Sequence, residues 1–359
     1  MKKPESANRA TTRFPSAFCL LNMVRLKDIA ARAGVSAMTV SKVLRDAPDI
    51  AATTKTRVKL IAQQMGYVPD AQAQSLRGRR TKLFGLIIPT MTNPIFARLV
   101  LALEDRAHEL GCEIILAHTL NIIEREDSCI LRLLARRVEG LFISPVYRLP
   151  GEARAYQELQ ARGTPTVILG PRAPFCSQFV NVEPDDLGGS HSLTQHLLKL
   201  GHKRIAFLTG PLVAPWAQER LEGYRRALRG ANIEPDDRLL FQAGSTIEDG
   251  AKAAQQILSE SCDATAIQAA TDLSAIGAGA AFLSHGLRIP EDLSIAGFGN
   301  ILTAEYFRVP LTTVRQPKLR LGNAAMDSML QLLRGERPEA KRLPAEVIVR
   351  QSTAPPRAK

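Results

Sequence analysis

Between Gly34 and Pro48 the sequence reads GVSAMTVSKVLRDAP, and its side chains sort onto two faces at helical spacing. Val35, Val40, Val43 and Leu44 make an apolar stripe, while Ser36, Ala37, Thr39, Ser41, Lys42 and Arg45 make a short, polar and basic face. Hydroxyls and cationic donors on a narrow face suit a surface pressed into a groove that offers acceptors and negative charge.

The charge of the chain supports that chemistry. Its 359 residues carry a net +12, but residues 1–82 hold 16 Lys and Arg against 5 Asp and Glu, and the rest hold 31 against 30. The excess therefore belongs to the first quarter, which points to a polyanionic partner for that part alone. The competing description is a solvated basic surface with no partner.

The elements around the stretch can position it. LKDIAARA (26–33) reads as a helix ended by Gly34, AMTVSKVLR (37–45) as a second capped by Ser36, and KTRVKLIAQQM (55–65) as a third capped by Thr53 or Thr54. Ile29, Ala33, Val35, Val40 and Val43 would form one small core, with Ala30 and Gly34 small where helices cross. A helix-turn-helix needs this arrangement. Residues 1–23 show no periodicity and read as a disordered extension, with Met23 a candidate start. Residues 69–82 begin at Pro69 and hold about two helical turns, too short to be stable alone; they read as a linker that orders when held.

From Leu83 onward strands and helices alternate, implying α/β architecture: parallel sheets with helices on both faces. The scheme runs once to about Val182 and then repeats, giving two doubly wound lobes with a cleft at the strand ends, where open sheets bind ligands. The lobes are assigned as 83–182 plus 312–340 and 183–311 plus 341–352.

At this point the residues resemble a known family. VRLKDIAARAGVSAMTVSKVLRD, MGYVPDAQAQSLRGRRTKLFGLIIPTMTNPIFARLV, RRVEGLFISPV, GHKRIAFLTGP, ERLEGYRRAL, LRIPEDLSIAGFGN and LTTVRQPKLRLG occur in order over residues 24–352. As a set they are similar to the lactose/galactose repressor (LacI/GalR) family of bacterial transcription regulators. The resemblance implies a helix-turn-helix headpiece (24–68), a hinge helix (69–82) and a core of periplasmic-binding-protein type. It also implies a homodimer on a palindromic operator, regulated by a small effector in the inter-lobe cleft.

Residue by residue, the resemblance makes Ala37–Arg45 the recognition helix. Ala37, Met38, Ser41 and Lys42 would face base edges, Lys42 donating to guanine O6 or N7, a pairing worth about 1–3 kcal/mol of discrimination. Thr39, Ser41 and Arg45 are DNA-contact candidates, Thr39 and Ser41 bonding either a phosphate or their own helix. Leu76 stands where the family wedges a leucine into the minor groove, with Arg77 beside it. In the cleft the matching positions are Asn93, Phe96, Trp216 and Arg220, with Gln268 and Asp272 at a strand end and Asn300 after the next. Two departures stand out. Thr271-Asp272 replaces the usual Asn-Asp, and Gly299 replaces an aspartate. A pocket keeping Arg220 without that carboxylate would tolerate an acidic ligand such as a sugar acid, beside the usual sugars.

Other chemistries find little footing. GAGAAF (277–282) lacks the third glycine of a dinucleotide loop and lies inside a helical pattern. No phosphate-loop or H-E-x-x-H motif occurs, and His191 and His196 are five apart, so neither a cofactor nor a metal is expected. Five scattered cysteines with no C-x-x-C pair fit a reducing cytoplasm, and no apolar run is long enough to span a bilayer. The expectation is a cytoplasmic, nucleoid-associated repressor and not an enzyme. The alternative is a sugar-binding protein of a transport system, which shares the two-lobe core.

Overall fold

The computed structural model describes residues 24–68, 81–149 and 153–357, divided into two units at Arg79–Arg80. Each unit is described by itself.

In the first unit α1 (Leu26–Ala33), α2 (Ala37–Val43) and α3 (Ala52–Gln64) enclose a core of Ile29, Val40, Val43 and Val58, with Ala30, Ala33 and Ala62 at the close approaches. Gly34 takes φ +64°, the left-handed turn that ends α1. Ser36 then caps α2, its hydroxyl accepting from the Thr39 N–H at 3.0 Å. The third helix differs from expectation: it starts at Ala52 with Ala51 at the cap position and no side-chain cap, so Thr53 and Thr54 lie inside its first turn. The hinge segment, Leu76 and Arg77 included, lies outside the described residues.

The second unit holds two six-stranded sheets. In chain order the first contributes β1 (Leu83–Ile88), β2 (Glu113–His118), β3 (Gly140–Ile143), β4 (Thr166–Leu169) and β5 (Val180–Pro184). Between these strands run α4 (Pro94–Glu109), α5 (Ile123–Ala135) and α6 (Arg154–Ala161). The second sheet contributes β6 (Ile205–Thr209), β7 (Leu240–Gln242), β8 (Ala266–Ala269) and β9 (Ser294–Gly299). Its helices are α7 (Asp186–Lys199), α8 (Pro215–Gly230), α9 (Ile247–Ser259), α10 (Asp272–Ser284) and the short α11 (Leu302–Glu305). Both sheets are parallel across these strands, and their central strands are buried on both faces, as the near-continuous apolar runs require.

The tail is allocated differently from the sequence assignment. β10 (Thr312–Arg315) extends the second sheet, pairing with β9 from Thr312↔Ala296 to Arg315↔Gly299. α12 (Lys318–Leu333) returns to the first lobe, where Leu321, Ala325, Met326 and Met329 complete its core. β11 (Lys341–Leu343) pairs with β5 in the first sheet, and β12 (Glu346–Ile348) runs antiparallel to β10 in the second. The chain therefore crosses between lobes three times, and 312–315 and 341–343 exchange the lobes assigned to them. The reason is local: one apolar helix face and two short strands each find their own ladder, and lobe membership alternates within about 35 residues.

The glycines of GAGAAF also find their reason here. A Cβ on Gly277 would lie 1.9 Å from the Ile247 carbonyl oxygen, and one on Gly250 would lie 2.1 Å from that of Ser274. They let α9 and α10 cross backbone to backbone.

Candidate functional site

On the first unit α2 presents Ala37 and Met38 to solvent, with Met38 71% exposed and Thr39, Ser41 and Lys42 half-covered; the helix ends at Val43, so the exposed Arg45 lies in the turn after it. Its opposite face, Val40 and Val43, is buried. The expected face is thus the outward one. Three of its side chains already have work within the unit: the Thr39 hydroxyl lies 2.9 Å from that of Ser36, and the Arg45 Nε donates to the Ser41 carbonyl at 3.0 Å. Lys42 Nζ donates to the Asp49 carboxylate at 2.5 Å.

In the second unit a cavity of about 840 Å³ opens where the C-terminal ends of strands from both sheets converge. Asn93, Phe96, Trp216, Arg220 and Asp272 all line it. Asn93 caps α4, its Oδ1 accepting from the Ile95 N–H. Arg220 is 5% exposed and held on three sides. Its Nε and one terminal nitrogen donate to the same oxygen of Asp186, at 2.8 and 2.7 Å, and the other terminal nitrogen donates to the Ala270 carbonyl at 2.5 Å. Its guanidinium carbon stands 3.7 Å from the Phe298 ring centre and 4.6 Å from that of Trp216, within cation–π reach of both. Three of its five N–H donors are used, leaving two for a ligand.

Two expected residues lie elsewhere. Gln268 is buried behind the cavity wall, where its amide accepts from the Thr194 hydroxyl at 2.6 Å and donates to Ser190 Oγ at 2.8 Å, tying α7 to β8. Its side chain points off the sheet face rather than along the strand end. Asn300 turns away as well, at φ +48°, its Oδ1 accepting from Arg350 at 2.8 Å.

Sequence reasoning missed Asp186, Lys318, Gln316 and Phe298, which also line the cavity. Asp186 stands two residues after β5, at the start of α7, a strand-end position that the rule applied to Asp272 would have found. Burial pushes its carboxyl up to about 6 against the lowering pull of Arg220. Lys318 opens α12 and donates to the carbonyls of Gly299 and Asn300 at 2.5 and 2.9 Å; burial lowers its ammonium to about 8, which Asp272 opposes. Asp272 accepts from the Thr313 hydroxyl at 2.5 Å and the Ile301 N–H at 2.9 Å, and burial raises its carboxyl.

Gly299 has a structural cause too. At φ +137° a side chain there is strained, and its Cβ would stand 3.3 Å from a carboxylate oxygen of Asp272. Carboxylates outnumber cations in the lining, Arg220 and Lys318 against Asp186, Asp272, Glu248 and Asp249, which does not favour the acidic ligand that the loss of a carboxylate at Gly299 suggested.

Comparison with known proteins agrees with both parts. A family model described as bacterial regulatory proteins, lacI family, matches residues 25–70, and a periplasmic binding protein-like domain matches residues 194–353. The chain is 32% identical over 330 residues to the HTH-type transcriptional regulator DegA of Bacillus subtilis (strain 168), covering 91% of this chain and 97% of that one. It is 32% identical over 314 residues to the HTH-type transcriptional repressor PurR of Vibrio atlanticus (strain LGP32), covering 87% and 92%. Among solved structures, the Lac repressor dimer bound to operator and the anti-inducer ONPF matches with a TM-score of 0.81 at 28% identity, over 92% of this chain and 99% of that one. A complex of the transcriptional regulator CelR with cellobiose matches with a TM-score of 0.69 at 30% identity, over 92% and 99%.

Proposed function

The chain belongs to the LacI family of bacterial regulatory proteins, and from that premise we propose that it is a repressor that binds a palindromic operator as a homodimer under the control of a small polar effector. That it is a DNA-binding transcriptional regulator follows from the family; operator symmetry, dimer and effector are our reading. The observation that carries it is α2, a helix whose apolar face is locked in a folded three-helix unit and whose outward face bears Lys42, Met38 and Ala37. We assign base readout to Ala37, Met38, Ser41 and Lys42, with Arg45 and the hinge residues Leu76 and Arg77 supporting the backbone contacts.

A second copy would cover exposed apolar side chains of the second lobe, among them Leu302 and Tyr306, and the Lac repressor relative is a dimer on its operator. Effector contacts are assigned to Arg220, Trp216, Phe96, Asn93 and Asp272, joined by Asp186 and Lys318. Because carboxylates outnumber cations in the cavity, a neutral polyhydroxylated ligand of sugar type suits it better than a sugar acid. Such a regulator acts where the operator is, in the cytoplasm. The named relatives are regulators, and nothing in them favours the transport reading.

The test is selection of duplexes from a random pool by the full chain. The expected result is an enriched palindrome bound far more tightly than scrambled duplex, with affinity altered by a sugar-type ligand. Equal binding to all duplexes, with and without such ligands, overturns the reading.

A further inference from the structure

The strongest unexplained contact on the proposed DNA face is the one between Lys42 and Asp49. A free lysine is a flexible point charge with three donors, and it satisfies itself on any phosphate as readily as on a guanine edge. Asp49, in the loop between α2 and α3, takes one of those donors at 2.5 Å, and both side chains remain substantially exposed, 39% and 54%. The hydrogen bond from Lys42 holds the Asp49 carboxyl below the usual carboxylate range, so the partner is an anion at neutral pH.

A second carboxylate of the same loop, Asp46, takes Lys59 of α3 at 2.5 Å. The loop thus carries two acidic residues, each on a lysine, in a segment of otherwise basic excess. Exposed pairs of this kind add little to stability, so stability is a poor reason for them.

We propose that Asp49 is a selectivity residue: it neutralises Lys42 on the recognition helix, so that this lysine contributes to base readout and not to general attraction to the phosphate backbone. On a random duplex Lys42 can hold Asp49 and reach a phosphate only by bringing the Asp49 carboxylate toward the backbone, which repels it. On the right base pair guanine O6 and N7 offer acceptors without a net charge, and the two donors left on Lys42 can use them while Asp49 holds the third. The pair therefore lowers non-specific affinity more than specific affinity. This rests on the assignment of Lys42 to base readout made above.

The test uses the full chain, the duplex it enriches from a random pool, and a scrambled duplex of equal length, each titrated by fluorescence anisotropy across a range of salt. Asp49→Asn frees Lys42 without adding bulk. The expected result is tighter binding to scrambled duplex, a salt slope steeper by about 0.9 for each lysine released, and a smaller ratio of specific to non-specific affinity. Asp46→Asn removes the same charge from the same loop but releases a lysine of α3. It should leave that ratio closer to wild type than Asp49→Asn does, which a bulk charge effect would not. Asp49→Asn with wild-type slope and ratio, or both variants shifting the ratio equally, overturns the inference while leaving the DNA-binding reading intact. A wild-type chain that prefers no duplex overturns that reading, and the inference with it.

Discussion

Arg220 and Asp186 meet on one carboxylate oxygen, which accepts two N–H donors from the same guanidinium at 2.8 and 2.7 Å, with both side chains buried. The arginine comes from α8 and the aspartate from the first turn of α7, so the pair ties together two helices of the second lobe while lining the cavity. Breaking it leaves a charge without a counter-ion. Arg220→Met should lower stability by about 3–5 kcal/mol, whereas Arg220→Met with Asp186→Leu should recover much of that loss. Denaturant unfolding followed through Trp216 reads both; a single variant as stable as wild type contradicts the pairing.

Glu126 gives the core a pH dependence of definite sign. It is buried on α5, accepting from the Val146 N–H at 2.7 Å and the Tyr156 hydroxyl at 2.9 Å, with Arg148 against its other oxygen. Burial pushes its carboxyl from 4.5 up to about 7. A folded-state value above the unfolded one means that the fold holds a proton the unfolded chain releases. The contribution is therefore complete below about 4.5 and fades as pH rises through about 7. Asp186 acts in the same direction. Glu126→Gln should flatten the fall in urea midpoint between about pH 5 and about pH 8. An unchanged slope would mean that the buried carboxyl is ionised throughout.

Two glycines of α10, Gly277 at the crossing with α9 and Gly279 against Phe307, predict a graded pair of variants. Alanine favours helix by about 1 kcal/mol over glycine. At Gly277 that gain meets a backbone oxygen 1.9 Å away, which cannot yield without moving the helix. At Gly279 the nearest atom, at 2.9 Å, belongs to the Phe307 ring, which can shift. Gly277→Ala should cost more than the roughly 1–3 kcal/mol of ordinary overpacking, and Gly279→Ala clearly less. Urea midpoints of the two variants decide the order.

The same glycines show what was legible in the sequence and what was not. Period located the three headpiece helices and the alternating lobes, and turn and cap residues bounded the first two helices, because apolar stripes and turn residues act locally; the threonine cap expected of the third lies inside its first turn. Helix-on-helix contact at Gly277 has no local signature, so its glycines could only be read as a failed nucleotide loop. The cavity residues divide in the same way. Asn93, Phe96 and Trp216 stand at helix starts and Arg220 on the second turn of α8, all four named from the family resemblance, while the strand-end rule named Asp272. Gln268 sits one residue inside β8, where the pleat turns its side chain off the sheet toward α7. Lys318 enters the cavity only because α12 crosses back to the first lobe, a fact of tertiary pairing.

The headpiece cap yields a prediction confined to the first unit. Ser36 satisfies the Thr39 N–H, and alanine there leaves that donor to water at a cost of about 1 kcal/mol. In so small a core this should lower the fraction of folded α2 and weaken binding to the enriched and the scrambled duplex together. Ser36→Asp keeps an acceptor at the cap and should restore the fold, seen as helical circular dichroism of the headpiece transition. Loss of DNA binding in Ser36→Ala with a wild-type transition would instead make Ser36 a direct contact.

Trp216 turns the cavity into its own reporter. It is the only tryptophan of the chain, and it lines the cavity with the Arg220 guanidinium 4.6 Å from its ring centre. A ligand taking the two spare donors of Arg220 must come beside that ring and change its surroundings, so binding should shift the intrinsic emission. Neutral hydroxyls can use those donors without displacing Asp186. A ligand carboxylate would bring another negative charge near Asp186, Asp272, Glu248 and Asp249, against two cations already engaged. Titrating a series of neutral sugars and the matching sugar acids should therefore give saturable emission changes with the former at lower concentration. The order should hold in Asp249→Asn, with the gap between the two series narrowed. If the acids bind more tightly, Lys318 and Arg220 outweigh the carboxylates, and the ligand class assigned to the cavity must change.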